Sequence, residues 1–274
     1  MGSVCPRRID NMWEFIRDHP LHPRIVIRLQ DAGFYEIIEI GRLQFDWALI
    51  TAMIERWRPE THIFHLPIGE ATIMLEDIEV LFGFPIDGLL VAYSHALRGY
   101  KGVHYLHMLQ QLTGFQPPEV TALSGVSRLQ LMPVRQNLEA MDAEITDASP
   151  AEDIGRHTRL LLLLMFGGVL FPNTSGNLVS LRFLHHLERL DDLLSYSWGA
   201  TVLGYLYRQM CRACMGTQRD VAGFLPLLQK LQYTGEGATT LHGYGRRVTD
   251  LAAETLRHAR DDKSLGYEAA YVPP

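Results

Sequence analysis

The sequence predicts a mainly α fold: a single multi-helix globular domain with a small β-hairpin near residues 62–74. Two observations lead to this prediction. Apolar residues recur at helical spacing along much of the chain, and one short segment instead places a Pro/Gly turn between two short runs. With 274 residues, of which 47% are hydrophobic and 20% charged, the chain can bury a substantial core.

Residues 43–57 predict a helix, because one apolar stripe runs along them through Leu43, Trp47, Ile50, Ile54 and Trp57. Asp46 lies where its charge favours a helix N-terminus. Pro59 ends the helix, since proline has no N–H and restricts the residue before it.

The hairpin follows directly. Residues 62–65 and 70–74 flank Leu66-Pro67-Ile68-Gly69, in which proline at the second and glycine at the fourth position fit a type I turn. Helical spacing then returns at Leu75, Ile78, Leu81 and Phe82, until Gly83 and Pro85 end the run.

Helices dominate the rest of the chain. Residues 103–112 predict a helix closed by Gly114, and residues 116–147 predict one or two small helices. Ser149 is the expected N-cap of a helix that has Pro150 at its first position and reaches about residue 170. A turn is expected at 172–177, short helices at 178–194, longer helices at 200–215 and 220–232, a glycine-rich connector at 235–245 and a last helix at 246–260.

Composition limits the function classes. The net charge of −6 does not favour binding to nucleic acid or to an anionic membrane. The longest apolar run, residues 160–171, is shorter than the about twenty residues of a membrane-spanning helix, so it predicts a buried core helix. The N-terminus lacks the apolar core of a signal peptide, and an odd count of three cysteines favours reduced thiols in an intracellular protein.

Catalytic motifs are not apparent in the sequence. It contains no P-loop, no complete dinucleotide-binding glycine motif and no nucleophile elbow. A pyridoxal phosphate enzyme needs a Schiff-base lysine, for which only Lys101 and Lys230 are placed plausibly. We therefore expect no cofactor and no enzymatic activity.

Metal binding has three weak candidates. His104 and His107 share a helical face, His62 and His65 would point to opposite faces of a strand, and the Cys211-Arg-Ala-Cys214 pair lacks a second cysteine pair. Ordinary surface or buried side chains explain all three, so we expect no metal site.

A polar and aromatic motif remains as the candidate site. Its residues are Trp57, Arg58, Pro59, Glu60, Thr61, His62, His65, Gly69 and Glu70, together with Ser197, Trp198, Gly199, Tyr205 and Arg208. Ser197-Trp198-Gly199 is expected to pack against the turn at residues 57–62. One interpretation is an Arg58–Glu60 or Arg208–carboxylate network that fixes the fold, and the other is a recognition surface for a protein partner or a nucleic-acid phosphate.

Several motifs, in order, resemble the plant mobile domain family. They are Asp46-Trp-Ala-Leu-Ile50, Glu55-Arg-Trp-Arg-Pro-Glu-Thr-His62, Phe64-His-Leu-Pro67, Gly69-Glu70, Gly168-Val-Leu-Phe-Pro172, Ser175-Gly-Asn177, Ser195-Tyr-Ser-Trp-Gly199, Leu203-Gly-Tyr-Leu-Tyr-Arg208 and Cys211-Arg-Ala213. Met74 departs from the family's usual threonine, which predicts the loss of a capping box with Asp77. The chain also diverges beyond Lys230.

The resemblance implies an organisation and a function. It implies an N-terminal helical lead-in at 1–31, the plant mobile domain at 32–234 and a divergent linker and tail at 235–274. It implies a non-catalytic nuclear interaction module that acts in transposable-element silencing and meristem maintenance, with a type 7 Ser/Thr phosphatase or another nuclear protein as partner. The alternative is a transposon-derived domain that binds nucleic acid or is a cryptic enzyme.

Overall fold

A computed structural model describes residues 11–66, 69–92, 99–117, 123–216 and 221–230, and these form a mainly α structure. The helices are α1 (Asn11–Asp18), α2 (Pro23–Asp31), α3 (Tyr35–Ile40), α4 (Trp47–Arg56), α5 (Leu75–Phe82), α6 (Gly102–Thr113), α7 (Leu131–Asp142), α8 (Ala151–Met165), α9 (Trp198–Cys214) and α10 (Pro226–Lys230). A π-helical segment, Phe166–Leu170, continues α8, and two 3₁₀ helices span Leu181–His185 and Leu190–Ser195. The predicted fold class is confirmed.

Two small antiparallel sheets accompany the helices. The first has the order β1 (Trp57–Arg58), β2 (Ile63–Leu66) and β3 (Gly69–Ala71); the second has the order β4 (Leu123–Ser124), β5 (Arg128–Gln130) and β6 (Leu178–Ser180). The predicted hairpin is β2–β3, with Leu66 opposite Gly69, and its tip lies outside the described residues. Strand β1, which pairs with the predicted hairpin, and the whole second sheet were not predicted.

The core is built around α8 and α9. Every residue from Leu160 to Phe166 is fully buried, and the run packs against α2, α6 and α7, so the predicted core helix is confirmed. At its centre the ring of Phe166 contacts those of Phe34 and Trp198. Helix α9 packs on α4, α5 and β1. None of the helices in the described ranges combines the length and apolar character needed to cross a bilayer.

The predictions of where helices begin are confirmed only in part. The Asp46 carboxylate accepts the backbone N–H of Leu49 at 3.0 Å, so the helix starts at Trp47 and not at Leu43. The prediction for Ser149 was wrong, because Pro150 is the N-cap of α8 and the Ser149 hydroxyl instead accepts the backbone N–H of Thr146.

The capping box at α5 is only half lost. The Met74 side chain has no hydroxyl to cap the helix, yet the backbone N–H of Met74 still donates to the Asp77 carboxylate at 2.7 Å. The glycine-rich connector and the last predicted helix lie outside the described residues, as does the C-terminal part of the helix expected at 220–232.

Candidate functional site

The polar motif lies where the first sheet meets α9, and Trp57 is at the centre of this junction. Trp57 ends α4 and begins β1, and only 1% of its surface is exposed. Its indole lies 4.8 Å from the ring centroid of Phe64 and 4.9 Å from that of Tyr207. Its Nε1–H donates to Cys211 Sγ at 3.3 Å. Because the indole is buried and its N–H is satisfied, Trp57 anchors the sheet to α9 and is not accessible from solvent.

The turn between β1 and β2 contains Pro59, Glu60 and Thr61 and is closed by His62. The backbone N–H of His62 donates to the Arg58 carbonyl at 2.8 Å. His62 adopts a φ of 56°, a left-handed conformation that is uncommon for residues other than glycine. Its ring stacks on Tyr207 at 5.2 Å between centroids, so the fold holds this residue in place from both backbone and side chain.

A polar network lies beneath this turn. The Thr72 hydroxyl donates to the His62 carbonyl at 2.7 Å, and the Tyr207 hydroxyl donates to the Ile73 carbonyl at 2.5 Å. The two hydroxyl oxygens are also 2.9 Å apart. Burial raises the pKa of Tyr207 well above its ordinary value, so its hydroxyl stays protonated and acts as a donor.

One side of the sheet is exposed. Strand alternation and pairing place Arg58, Ile63, His65 and Glu70 on the side opposite Trp57 and Phe64, and we call these four residues the outer hairpin face. Arg58, His65 and Glu70 are exposed and Ile63 is half-buried. His65 Nε2 lies 3.4 Å from the Glu70 carboxylate. Glu60 and Thr61 are also exposed at the adjoining turn. Among the residues that the structure describes, Arg58 and Glu60 are both exposed and do not form the expected ion pair.

Two thiols lie on the α9 side of the junction. Cys211 and Cys214 are both free and half-buried in the last turn of α9. Burial raises the pKa of Cys211, and burial together with the neighbouring Cys211 raises the pKa of Cys214 to about 11. Both side chains are therefore thiols at neutral pH.

Trp198 lies far from where the sequence placed it. It does not pack against the turn at residues 57–62; it begins α9 with a fully buried ring, and its Nε1–H donates to the Leu193 carbonyl at 2.9 Å. Ser197 donates its hydroxyl to the Ile86 carbonyl at 2.6 Å. A Cβ on Gly199 would lie 2.9 Å from Ile86 Cγ2, so glycine lets the helix approach this segment closely. These three residues fix the start of α9 in the core.

The opposite end of α9 supplies the residues that do meet the motif. Tyr205 faces away from the junction, since its hydroxyl donates to the Pro172 carbonyl at 2.6 Å. The Arg208 charge acts on Cys211 and partly opposes the rise in the pKa of that thiol. Tyr207 and Cys211 were missed as site residues. They are four residues apart, so they share a helical face, and that spacing was the available signal.

The remaining chemical candidates have structural roles. His104 Nδ1 accepts the backbone N–H of Lys101 at 2.9 Å, at the start of α6, and both side chains are exposed. Within the described ranges, no group of three or more His, Cys, Asp or Glu side chains is arranged to hold a metal ion.

A comparison with known protein families shows which family the chain belongs to. The model of the plant mobile domain matches residues 33–234, which include the junction and most of the helical core. The chain belongs to the plant mobile domain family. No solved structure shows a significant match to this member of the family.

Three relatives from Arabidopsis thaliana are similar to this chain over at least 75% of its length. The chain is 37% identical to "Serine/threonine-protein phosphatase 7 long form homolog" over 83% of its own length and 16% of that relative. It is 33% identical to "Protein MAIN-LIKE 2" over 78% of its length and 30% of the relative. It is 30% identical to "Protein MAINTENANCE OF MERISTEMS" over 75% of its length and 41% of the relative. The chain thus spans less than half the length of each.

Proposed function

We propose that this plant mobile domain is a non-catalytic nuclear interaction module that binds a protein partner through the outer hairpin face. Its role would be in transposable-element silencing and meristem maintenance. The observation that carries the proposal is the contrast between the two sides of the first sheet. Trp57 and Phe64 are buried on one side, whereas Arg58, His65 and Glu70 are exposed on the other.

Rigid support favours recognition by these exposed side chains. The sheet is held on α9 by the Trp57–Tyr207 contact, by the Trp57–Cys211 hydrogen bond and by the Tyr207 hydroxyl, which donates to the Ile73 carbonyl just after β3. A partner that binds a preorganised surface loses less conformational entropy than one that must order a loop.

A type 7 Ser/Thr phosphatase is the partner that the relatives suggest. One relative is named as a phosphatase 7 long form homolog, and the chain matches only 16% of it. A domain of this kind can therefore occur in a much longer protein. We propose that the plant mobile domain contacts the phosphatase, or another nuclear protein, through the outer hairpin face.

The test is affinity purification of the tagged chain from plant nuclei, with and without nuclease, followed by mass spectrometry. We expect a protein partner that survives nuclease treatment and is lost when Arg58 and His65 are both replaced by alanine. The matched control is R17A, since Arg17 is an exposed arginine on α1, a helix that packs against α7 and α8. Partners recovered only through nucleic acid would overturn the proposal in favour of nucleic-acid binding, and equal recovery by the R58A/H65A variant would refute the assigned surface.

A further inference from the structure

The last turn of α9 brings two thiols together. Cys211 and Cys214 are three residues apart on one helical face, and the Cys214 Sγ–H donates to the Cys211 carbonyl at 3.2 Å. The thiol groups are close enough that Cys211 raises the pKa of Cys214 electrostatically. Helix α9 ends at Cys214, and Met215 and Gly216 follow in non-helical or left-handed backbone conformations.

This backbone geometry is compatible with a disulfide. Residues three apart in an α-helix have Cα atoms about 5 Å apart, within the roughly 4.4–6.8 Å range of disulfides. Their Cβ atoms, at about 5–6 Å, must approach to roughly 4 Å, so the turn has to tighten by an ångström or two. At the end of a helix only the terminal turn has to adjust, whereas in mid-helix the hydrogen bonds on both sides would be disturbed.

We propose that Cys211 and Cys214 are a modification site that forms an intramolecular disulfide under oxidation. With hydrogen peroxide, one thiol is oxidised to a sulfenic acid with release of one water, and the second thiol then displaces a second water. With glutathione disulfide, thiol–disulfide exchange gives the same bond and two reduced glutathione molecules. Each route removes two electrons and two protons from the cysteine pair.

The disulfide would affect the first sheet because Cys211 accepts a hydrogen bond from Trp57. The Cys211 sulfur accepts the Trp57 Nε1–H only while its side chain points toward β1. Rotation toward Cys214 removes that acceptor and leaves a buried indole N–H without a partner. We therefore expect oxidation at the end of α9 to loosen β1 and the outer hairpin face.

The chemistry of the pair sets when this occurs. Burial raises the pKa of both thiols, so the thiolate that starts either reaction is scarce at neutral pH. The bond would form slowly, under sustained oxidation rather than in a brief pulse.

The experiment uses the full chain carrying C5S, so that Cys211 and Cys214 are the only cysteines left. The folded protein is equilibrated in glutathione buffers of increasing oxidised fraction, quenched with acid and alkylated with iodoacetamide. In peptide mass spectra we expect a Cys211–Cys214 peptide that is lighter by two hydrogen atoms, carries no alkyl group and accumulates in a single transition. The matched C5S/C214S control should form only a mixed disulfide with glutathione.

Two outcomes would overturn the proposal. The first is complete alkylation of both thiols in the most oxidising buffer, and the second is formation of glutathione adducts without the internal bond. The coupling to Trp57 is measured separately by hydrogen exchange, which should speed up severalfold at the amides of β1 and β2 on oxidation, and unchanged exchange there would refute the coupling. These measurements need no binding partner, so their result is independent of the proposed function.

Discussion

Removing the Tyr207 hydroxyl tests how the polar network beneath the hairpin works. Three short O···O contacts link Thr72, Tyr207 and two carbonyls, yet the two hydroxyls carry only two protons. If each proton goes to a carbonyl, the contact between the two hydroxyls has no proton of its own. Each hydroxyl then serves one carbonyl independently of the other.

The expected magnitudes follow from this arrangement. Tyr207→Phe keeps the ring and leaves the carbonyl of the fully buried Ile73 without its donor, which should cost about 1–3 kcal/mol of unfolding free energy. Thr72→Val removes the donor to the carbonyl of the half-buried His62 and should cost about 1 kcal/mol. The double variant should lose the sum of the two within about 0.5 kcal/mol.

Urea unfolding followed by circular dichroism, with an unchanged m-value, measures these differences. The matched control is Y205F, because Tyr205 lies on the same helix and donates to the Pro172 carbonyl at 2.6 Å. It should cost a similar amount and show no coupling to T72V. A Thr72–Tyr207 coupling energy above about 0.5 kcal/mol would refute the proton assignment, since it would mean that the two hydroxyls bond each other.

Three further predictions concern the rest of the fold. Burial, aided by His185, lowers the pKa of His186 from 6.5 to about 4. The unfolded chain therefore binds a proton below pH 6.5 that the folded protein does not, and the free energy of unfolding should fall by about 3 kcal/mol between pH 6.5 and pH 4. H186Q should remove this pH dependence in unfolding experiments. Trp57→Ala should cost about 3–5 kcal/mol in urea unfolding, whereas R58A on the exposed side should change stability by less than about 0.5 kcal/mol. A Cβ on Gly167 would lie 2.7 Å from side chains of α7 and β6, so G167A should lower the free energy of unfolding by about 1–3 kcal/mol. A Cβ on Gly168 would have its nearest neighbour at 3.8 Å, so G168A should not be destabilising. Equal losses of unfolding free energy in the two variants would contradict the packing argument.

Features set by near neighbours in the chain were predictable. The Asp46 cap depends on a carboxylate three residues from the amide that it accepts. Gly83 and Gly114 end their helices because each adopts a left-handed conformation that other residues rarely take. The buried run within α8 follows from its continuous apolar sequence.

Features that depend on distant partners were not predictable. Strand β5 pairs with β6, about fifty residues further along, and strands of two or three residues are too short to show alternation. Trp57 fits the apolar stripe of a helix as well as it fits a strand, so tertiary packing decides its conformation. Thr72 and Tyr207 are separated by 135 positions, and no local pattern reports their contact.

The direct passage from α4 into β1 limits how the family can vary in length. Arg56 is helical and Trp57 is already paired with Phe64, so no spacer residue separates the two elements. One inserted residue within β1 or β2 would shift the alternation of side chains, exposing aromatic rings and burying charged groups. Insertions and deletions among relatives should therefore be rare between positions 47 and 66, and a grafted peptide or tag would be tolerated better outside this segment than within it.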